Sequence, residues 1–243
     1  MNTVTRSGYL MSEYLSNIEL YFTEPKNIGN TDIVIDGSDV KHIQKVMRHK
    51  IGDKIFVTDG KGKIYEGEIK ELKNESLKIH IVYIREYAEK YKNITLCIPN
   101  LRKSDRLEFA IEKATELGIT NFIIFNSKRT MNRKVKIERL KKIALSGMKQ
   151  SLNSYLPKIT FHNSLSFLEN NNSQIILFDQ IEVSEFNSSS LNTNKDYYLL
   201  FGPEGGFAEG EIPANIITHR FKLVPNRLRT ETAAICAVSK LSN

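Results

Sequence analysis

Two rhythms of apolar and polar positions divide this chain. From Ile18 to about Tyr87 the apolar residues come in short pieces. Glu19–Phe22, Asp32–Ile35, Asp53–Thr58, Lys63–Ile69 and Ser76–Ile84 each read as a strand. Successive side chains on a strand face opposite ways, so the last piece puts Leu77, Ile79, Ile81 and Tyr83 on one side. Asp59-Gly60-Lys61-Gly62 is hairpin-turn chemistry between two of these pieces. One helical stretch interrupts them. Asp39–Arg48 carries Val40, Ile43 and Met47 on one face and Lys41, His42, Lys45, Arg48 and His49 on the other. Many short strands at close spacing predict a small barrel over residues 18–87. Residues 1–17 are polar without a sustained period and are expected to be a flexible leader.

Glu86–Asn93 is charged and aperiodic, and it marks a boundary. Beyond it, over 92–243, strands and helices alternate. Ile94–Pro99, Phe122–Phe125, Ile159–Phe161, Ile175–Phe178, Tyr197–Phe201 and Phe221–Val224 are the apolar runs. A helix from Arg106 to Leu117 has Leu107, Ile111, Ala114 and Leu117 as its stripe and Gly118 as its stop. Ser104 or Asp105 is its expected cap, with Glu108 closing a capping box in the second case. Ile137–Lys149 is a second helix. Such alternation predicts an α/β domain with a mostly parallel sheet and helices on both faces.

Composition changes this picture in three ways. Lys plus Arg is 35 against 28 for Asp plus Glu, a net charge of +7, which favours a polyanionic partner. The two cysteines, Cys97 and Cys236, sit among apolar neighbours and read as reduced core thiols of a cytoplasmic protein. The five histidines have no metal-ligand spacing, and no apolar run approaches a membrane span, so neither a metal nor a membrane partner is expected. No dinucleotide fingerprint, P-loop or nucleophile elbow occurs.

Two loops carry the candidate chemistry. The run Tyr197–Phe201 ends in Gly202-Pro203-Glu204-Gly205-Gly206, where glycines let backbone approach a ligand closely. Some twenty residues on, Phe221–Val224 runs into Pro225-Asn226-Arg227-Leu228-Arg229 and then Thr230-Glu231-Thr232-Ala233-Ala234. Thr230 is a plausible N-cap, with Glu231 in the first turn where the helix dipole favours an anion. Loops at strand ends on one sheet edge are where α/β folds bind ligands.

This pairing, GPEGG followed by LRTETA, resembles the RsmE family of SPOUT-class RNA methyltransferases, and the likeness extends over most of the chain from about Ile18. The resemblance implies a PUA-like barrel that helps hold RNA, followed by a SPOUT domain with a C-terminal trefoil knot. It implies S-adenosylmethionine as cofactor and methylation of N3 of a uridine in the decoding region of 16S ribosomal RNA. It implies cofactor contacts from Phe201, Gly202, Pro203, Glu204, Gly205 and Gly206, from Val224, Leu228, Arg229, Thr230 and Ala233, and from Asp179 and Gln180 as a third wall. Val224 stands where the family commonly has glycine. Either the loop is reshaped there with lower cofactor affinity, or an extended backbone is all that the position needs. The latter keeps the enzyme reading; the former opens an alternative, a non-catalytic RNA binder.

RNA contact is expected at Lys41, His42, Lys45 and Arg48, with His42 equally suited to capping or packing. It is expected also at Arg102, Lys103 and Arg106, and in Lys128–Lys142. That segment sets eight cations, including Arg129, Arg133 and Lys134, against the single Glu138. Asn153 replaces an arginine of the family pattern. Arg229 is the candidate catalytic residue. It is expected either to pair with Glu204 or Glu231 and brace the loops, or to steady the developing uridine anion. The last helix, Thr232–Leu241, is apolar on nearly all sides, which predicts a homodimer. The partner is then 16S RNA or a small-subunit particle.

Overall fold

The computed structural model describes Leu15 and residues 17–130, 134–169, 172–180 and 183–241. Most of the expected leader, and Arg133, lie outside the described residues. The chain divides into two compact units, one ending at Ala88 and the other beginning at Glu89.

The first unit is a five-stranded sheet in the order β1-β3-β4-β5-β2. Its strands are β1 Leu20–Phe22, β2 Asp32–Asp36, β3 Lys54–Thr58, β4 Lys63–Leu72 and β5 Ser76–Glu86. The two edges are bridged at Thr23. Its amide donates to Thr58 O (3.1 Å) and its hydroxyl to Val34 O (2.8 Å), so the sheet curls back on itself. Ile33, Ile35, Ile55, Val57, Ile69 and Ile79 fill the interior. In the hairpin after β3, the Asp59 carboxylate accepts from the amides of Lys61 (2.7 Å) and Lys63 (3.2 Å).

Two expectations fail in this unit. Tyr83 is half-exposed, because a bulge between Glu66 and Gly67 sets Tyr83 opposite Glu66 and Ile81 opposite Gly67. The extra residue, Val82, breaks the two-residue alternation and turns Tyr83 outward. The helical stretch begins as α1, Ser38–Lys41, but widens over His42–Val46, where the Met47 amide reaches back five residues to His42 O (3.0 Å). That wider turn rotates Met47 off the buried face held by Val40 and Ile43.

The second unit is a six-stranded sheet in the order β11-β9-β10-β6-β7-β8, and every adjacent pair is parallel. Its strands are β6 Ile94–Pro99, β7 Asn121–Phe125, β8 Lys158–His162, β9 Gln174–Phe178, β10 Tyr197–Leu200 and β11 His219–Phe221. Its helices are α2 Ser104–Glu116, α3 Ile137–Gln150 and α4 Thr230–Leu241. All three helices pack on one face, over Leu96, Ile98, Phe122 and Leu199. The other face is covered by Leu165, Leu168, Phe207, Ile216 and neighbours from loops and short turns, not by helices as expected.

α2 begins at Ser104, two residues earlier than its periodicity suggests. Lys103 occupies the cap position with no side-chain cap bond. Glu108 instead receives Arg139 of α3 in a two-pronged pair (Nε–Oε1 2.5 Å, Nη2–Oε2 2.8 Å). Ala110, not the half-exposed Leu117, completes the buried stripe. Gly118 takes φ +98° and ends the helix as expected. β11 lies earlier than Phe221–Val224, since its pairing with β9 stops at Phe221 and Leu223 leaves the sheet to become buried.

Candidate active site

Because the sheet is all parallel, the C-terminal ends of the neighbouring strands β10, β9 and β11 open on one edge. A cavity of about 920 Å³ lies there. Phe201, Leu223 and Leu228 give it apolar walls, and Gly202, Pro203, Glu204, Gly206, Asp179, Gln180, Val224, Asn226, Arg227, Arg229, Thr230 and Ala233 also line it, whereas the expected Gly205 is not among the lining residues. Phe201 is fixed by stacking on Phe178, with ring centroids 5.1 Å apart.

The Gly202–Gly206 loop is a tight turn closed by the Gly206 amide on Pro203 O (2.8 Å), with Gly206 at φ +70°. A side chain at Gly202 would touch the Phe207 ring at 3.4 Å. Side chains from four segments grip this turn. The Thr230 hydroxyl donates to Gly202 O (2.7 Å), Arg227 to Glu204 O (3.0 Å) and Arg129 to Gly205 O (2.6 Å). Arg106, in the first turn of α2, bonds the Glu204 carboxylate through Nη1 and stands 3.5 Å from Glu231 through Nε.

These contacts correct two sequence expectations. Thr230 does not cap α4: its hydroxyl is a donor to the facing loop, and the helix starts at Thr230 itself. Arg229 pairs with neither Glu204 nor Glu231. Arg106 takes both carboxylates, and Arg229 lies exposed on the cavity wall with no ion pair among the described residues. Glu231 is 7% exposed, and its Oε2 has no hydrogen-bond partner among the described residues.

The third wall is tied to the others. The Asp179 amide donates to Phe221 O (2.9 Å), and Gln180 Nε2 donates to Asn226 O (2.7 Å). Val224 keeps a negative φ; among the described residues only Arg48 and Leu152 are non-glycine residues with positive φ. The left-handed backbone that favours glycine is therefore not required at this position. Arg227 and Arg220 also line the cavity and went unnoticed in the sequence. Arg227 had one available signal, its place between two loop residues of the second motif.

The expected RNA-contact residues divide between the units. Lys41, Lys45 and Arg48 are exposed on the first unit, while His42 stands 3.2 Å from the Glu19 carboxylate. Arg102, Lys103, Arg129 and Lys134 are exposed on the second. The basic segment is less free than its sequence suggests, since Arg139 is held by Glu108 and Lys141 by Glu138. Lys128, Lys136 and Lys142 stay exposed. Asn153 has a structural task, donating to Thr115 O (2.9 Å) at the end of α2. Among the described residues no three His, Cys, Asp or Glu side chains gather as a metal site. Both cysteines are free, and burial pushes the Cys97 thiol pKa up. No described helix is long and apolar enough to cross a membrane.

Residues 88–242 match the model of the RNA methyltransferase domain family. The chain belongs to that family. Residues 35–82 match the RNA methyltransferase PUA domain, so the small barrel-forming unit is the family's PUA domain. Among curated relatives, the ribosomal RNA small subunit methyltransferase E of Bacillus subtilis is 29% identical over 86% of this chain and 88% of its own. That of Aquifex aeolicus is 29% identical over 93% and 100%. The structure of the Neisseria gonorrhoeae methyltransferase E bound to S-adenosyl methionine superposes with a TM-score of 0.80 at 23% identity, covering 93% of this chain and 97% of that one. The family resemblance drawn from Gly202–Gly206 and Leu228–Ala233 is thus borne out.

Proposed function

We propose that this methyltransferase uses S-adenosylmethionine to methylate N3 of a uridine in the decoding region of 16S ribosomal RNA. The observation that carries the reading is the cavity itself, formed where both motif loops meet at the ends of β10 and β11. Its volume lies within the roughly 300–1,000 Å³ usual for small-molecule and cofactor sites. The residues fit the group. Leu223, Leu228 and Phe201 offer apolar surface for a purine, and the glycine-bearing turn admits close approach of ribose and methionine portions. S-adenosylmethionine supplies a methyl group activated on a sulfonium sulfur.

The chain's own part is positioning and charge. The lining residues of the Gly202–Gly206 turn, of Val224–Ala233 and of Asp179-Gln180 would hold the cofactor, and so bring donor and acceptor together. Uracil N3 must lose a proton, leaving negative charge shared with its carbonyl oxygens. Arg229, a cation on the cavity wall with no carboxylate partner among the described residues, is suited to stabilise that charge. The alternative of a non-catalytic RNA binder leaned on Val224, which lines the cavity with a backbone that valine adopts without strain. The exposed cations of both units are the expected phosphate contacts.

A second copy is expected against α4, where Ile235 and Cys236 stay half-exposed although the helix buries Ala234, Ala237 and Val238. Sedimentation across micromolar concentrations tests the pairing, and a monomer throughout sinks it. A ribosomal RNA substrate implies work in the cytoplasm. The function is tested by incubating small ribosomal particles and naked 16S RNA, both lacking the modification, with labelled S-adenosylmethionine. Digestion should yield labelled 3-methyluridine. Label on another base, or none on either substrate, overturns the proposal.

A further inference from the structure

We infer that Arg106 is the positioning residue of the cofactor pocket. It sets the Gly202–Gly206 turn against the first turn of α4 by pairing with Glu204 and Glu231 together. The inference rests on reading the cavity as the cofactor site. Arg106 lines that cavity, yet both of its ion-pair partners are protein carboxylates, so its charge is already committed. Three elements meet at this one guanidinium: α2 through Arg106 itself, the turn after β10 through Glu204, and α4 through Glu231.

The burial of the group argues for geometry over stability. The Arg106 side chain is 20% exposed and that of Glu231 only 9%. A desolvated ion pair adds little net stability, but removing one partner leaves a buried charge alone. Glu231 is especially dependent, since its Oε2 has no other partner. The planar fork of arginine presents Nη1 to one carboxylate and Nε to the other; a lysine point charge cannot reproduce both directions. The turn it fixes contains three glycines and would otherwise sample many conformations. A loop already held in its binding geometry costs less to order when a ligand arrives. With Arg106 in the bracing role, Arg229 is free to face the substrate.

The test is calorimetric binding of S-adenosylmethionine and S-adenosylhomocysteine to the full chain without RNA, so it does not depend on turnover. The variants are Arg106→Lys, Glu204→Gln and the two combined. Each single change should weaken binding about tenfold through the lost pre-organisation. The double variant should bind no worse than the weaker single, because both changes break one contact. Glu204→Gln leaves Arg106 and Glu231 paired, so it should fold normally even where Arg106→Lys does not. Affinities within twofold of the parent for Glu204→Gln, or losses that multiply in the double variant, overturn the inference. Failure of the parent chain itself to bind would overturn the cofactor reading and this inference with it, whereas a binding parent with unaffected variants refutes Arg106 alone.

Discussion

Replacing Thr230 separates two accounts of the second motif. As an N-cap, Thr230 would accept a backbone hydrogen bond, and Asp would serve as well or better. In the structure its hydroxyl donates to Gly202 O at 2.7 Å, and the residue is 6% exposed. Thr230→Val keeps the shape and loses the donor. A net hydrogen bond of about 0.5–1.5 kcal/mol disappears, and leaving the Gly202 carbonyl unsatisfied brings the loss to about 1–3 kcal/mol. For a unit of this size each kcal/mol moves the melting temperature by about 2–4 °C, so a fall of roughly 2–12 °C is expected. Thr230→Asp should be worse than valine, because an ionised carboxylate has no proton to give and would face a carbonyl oxygen. Thr230→Ser should lie close to the parent. Calorimetric melting of the full chain, following the transition of the methyltransferase unit, reads all three. An aspartate variant that melts at or above the parent would refute the tether and restore the cap.

Three further outcomes are expected. Gly67→Ala should destabilise the PUA unit by about 1–3 kcal/mol, as overpacking does, because its Cβ would lie 2.3 Å from Ile79 Cγ2 and 2.7 Å from His80 O; an unchanged urea midpoint counts against that crowding. Hydrogen bonding by Lys54 (2.6 Å), then by Arg85 (2.9 Å), holds the Glu66 carboxyl below the usual carboxylate range despite opposing desolvation. Its contribution is therefore present above the unfolded value of about 4.3 and lost as pH falls through the lower folded value. Urea titrations should find Glu66→Gln less stable at neutral pH, with the gap to the parent closing in acid; a gap of constant size refutes it. Finally, Lys136→Glu with Lys142→Glu should flatten the salt dependence of RNA binding, by about 0.9 in slope for each phosphate no longer neutralised, whereas Arg139→Gln should change it less since Glu108 already holds Arg139. Equal effects in filter binding would place the RNA elsewhere.

The order of elements was legible because strand alternation and helical stripes are local properties. Five short strands, then alternating strands and helices, required no knowledge of partners. Apart from the locally widened turn at Met47, what failed has its cause far along the chain. The β5 alternation breaks at Tyr83 because Gly67 lets another strand approach closely. Glu108 looked like half of a capping box, but its partner is Arg139, 31 residues away. Thr230 carried cap chemistry, yet the atom it serves belongs to Gly202. The walls of the site were legible from two motifs, while the brace was assigned to the wrong arginine. Arg229 is near Glu231 in sequence, but Arg106 reaches both carboxylates from another helix. Counting cations along Lys128–Lys142 also missed Glu108, which sequence spacing sets far outside that segment.

The strand order has a consequence for synthesis. β6 at residues 94–99 finds its neighbour β10 only at residues 197–200, and β10 also separates β6 from β9 at 174–178. A chain emerging from the ribosome at about 5–20 residues per second can first assemble β6, β7 and β8, with β9 waiting for a place in the sheet. Thr230 and Ala233 of α4 emerge after every strand of this sheet, yet they line the cavity. A chain interrupted between β11 and α4 has every strand of the sheet but lacks that part of the pocket. The ability to take up a cofactor therefore waits until synthesis has passed α4.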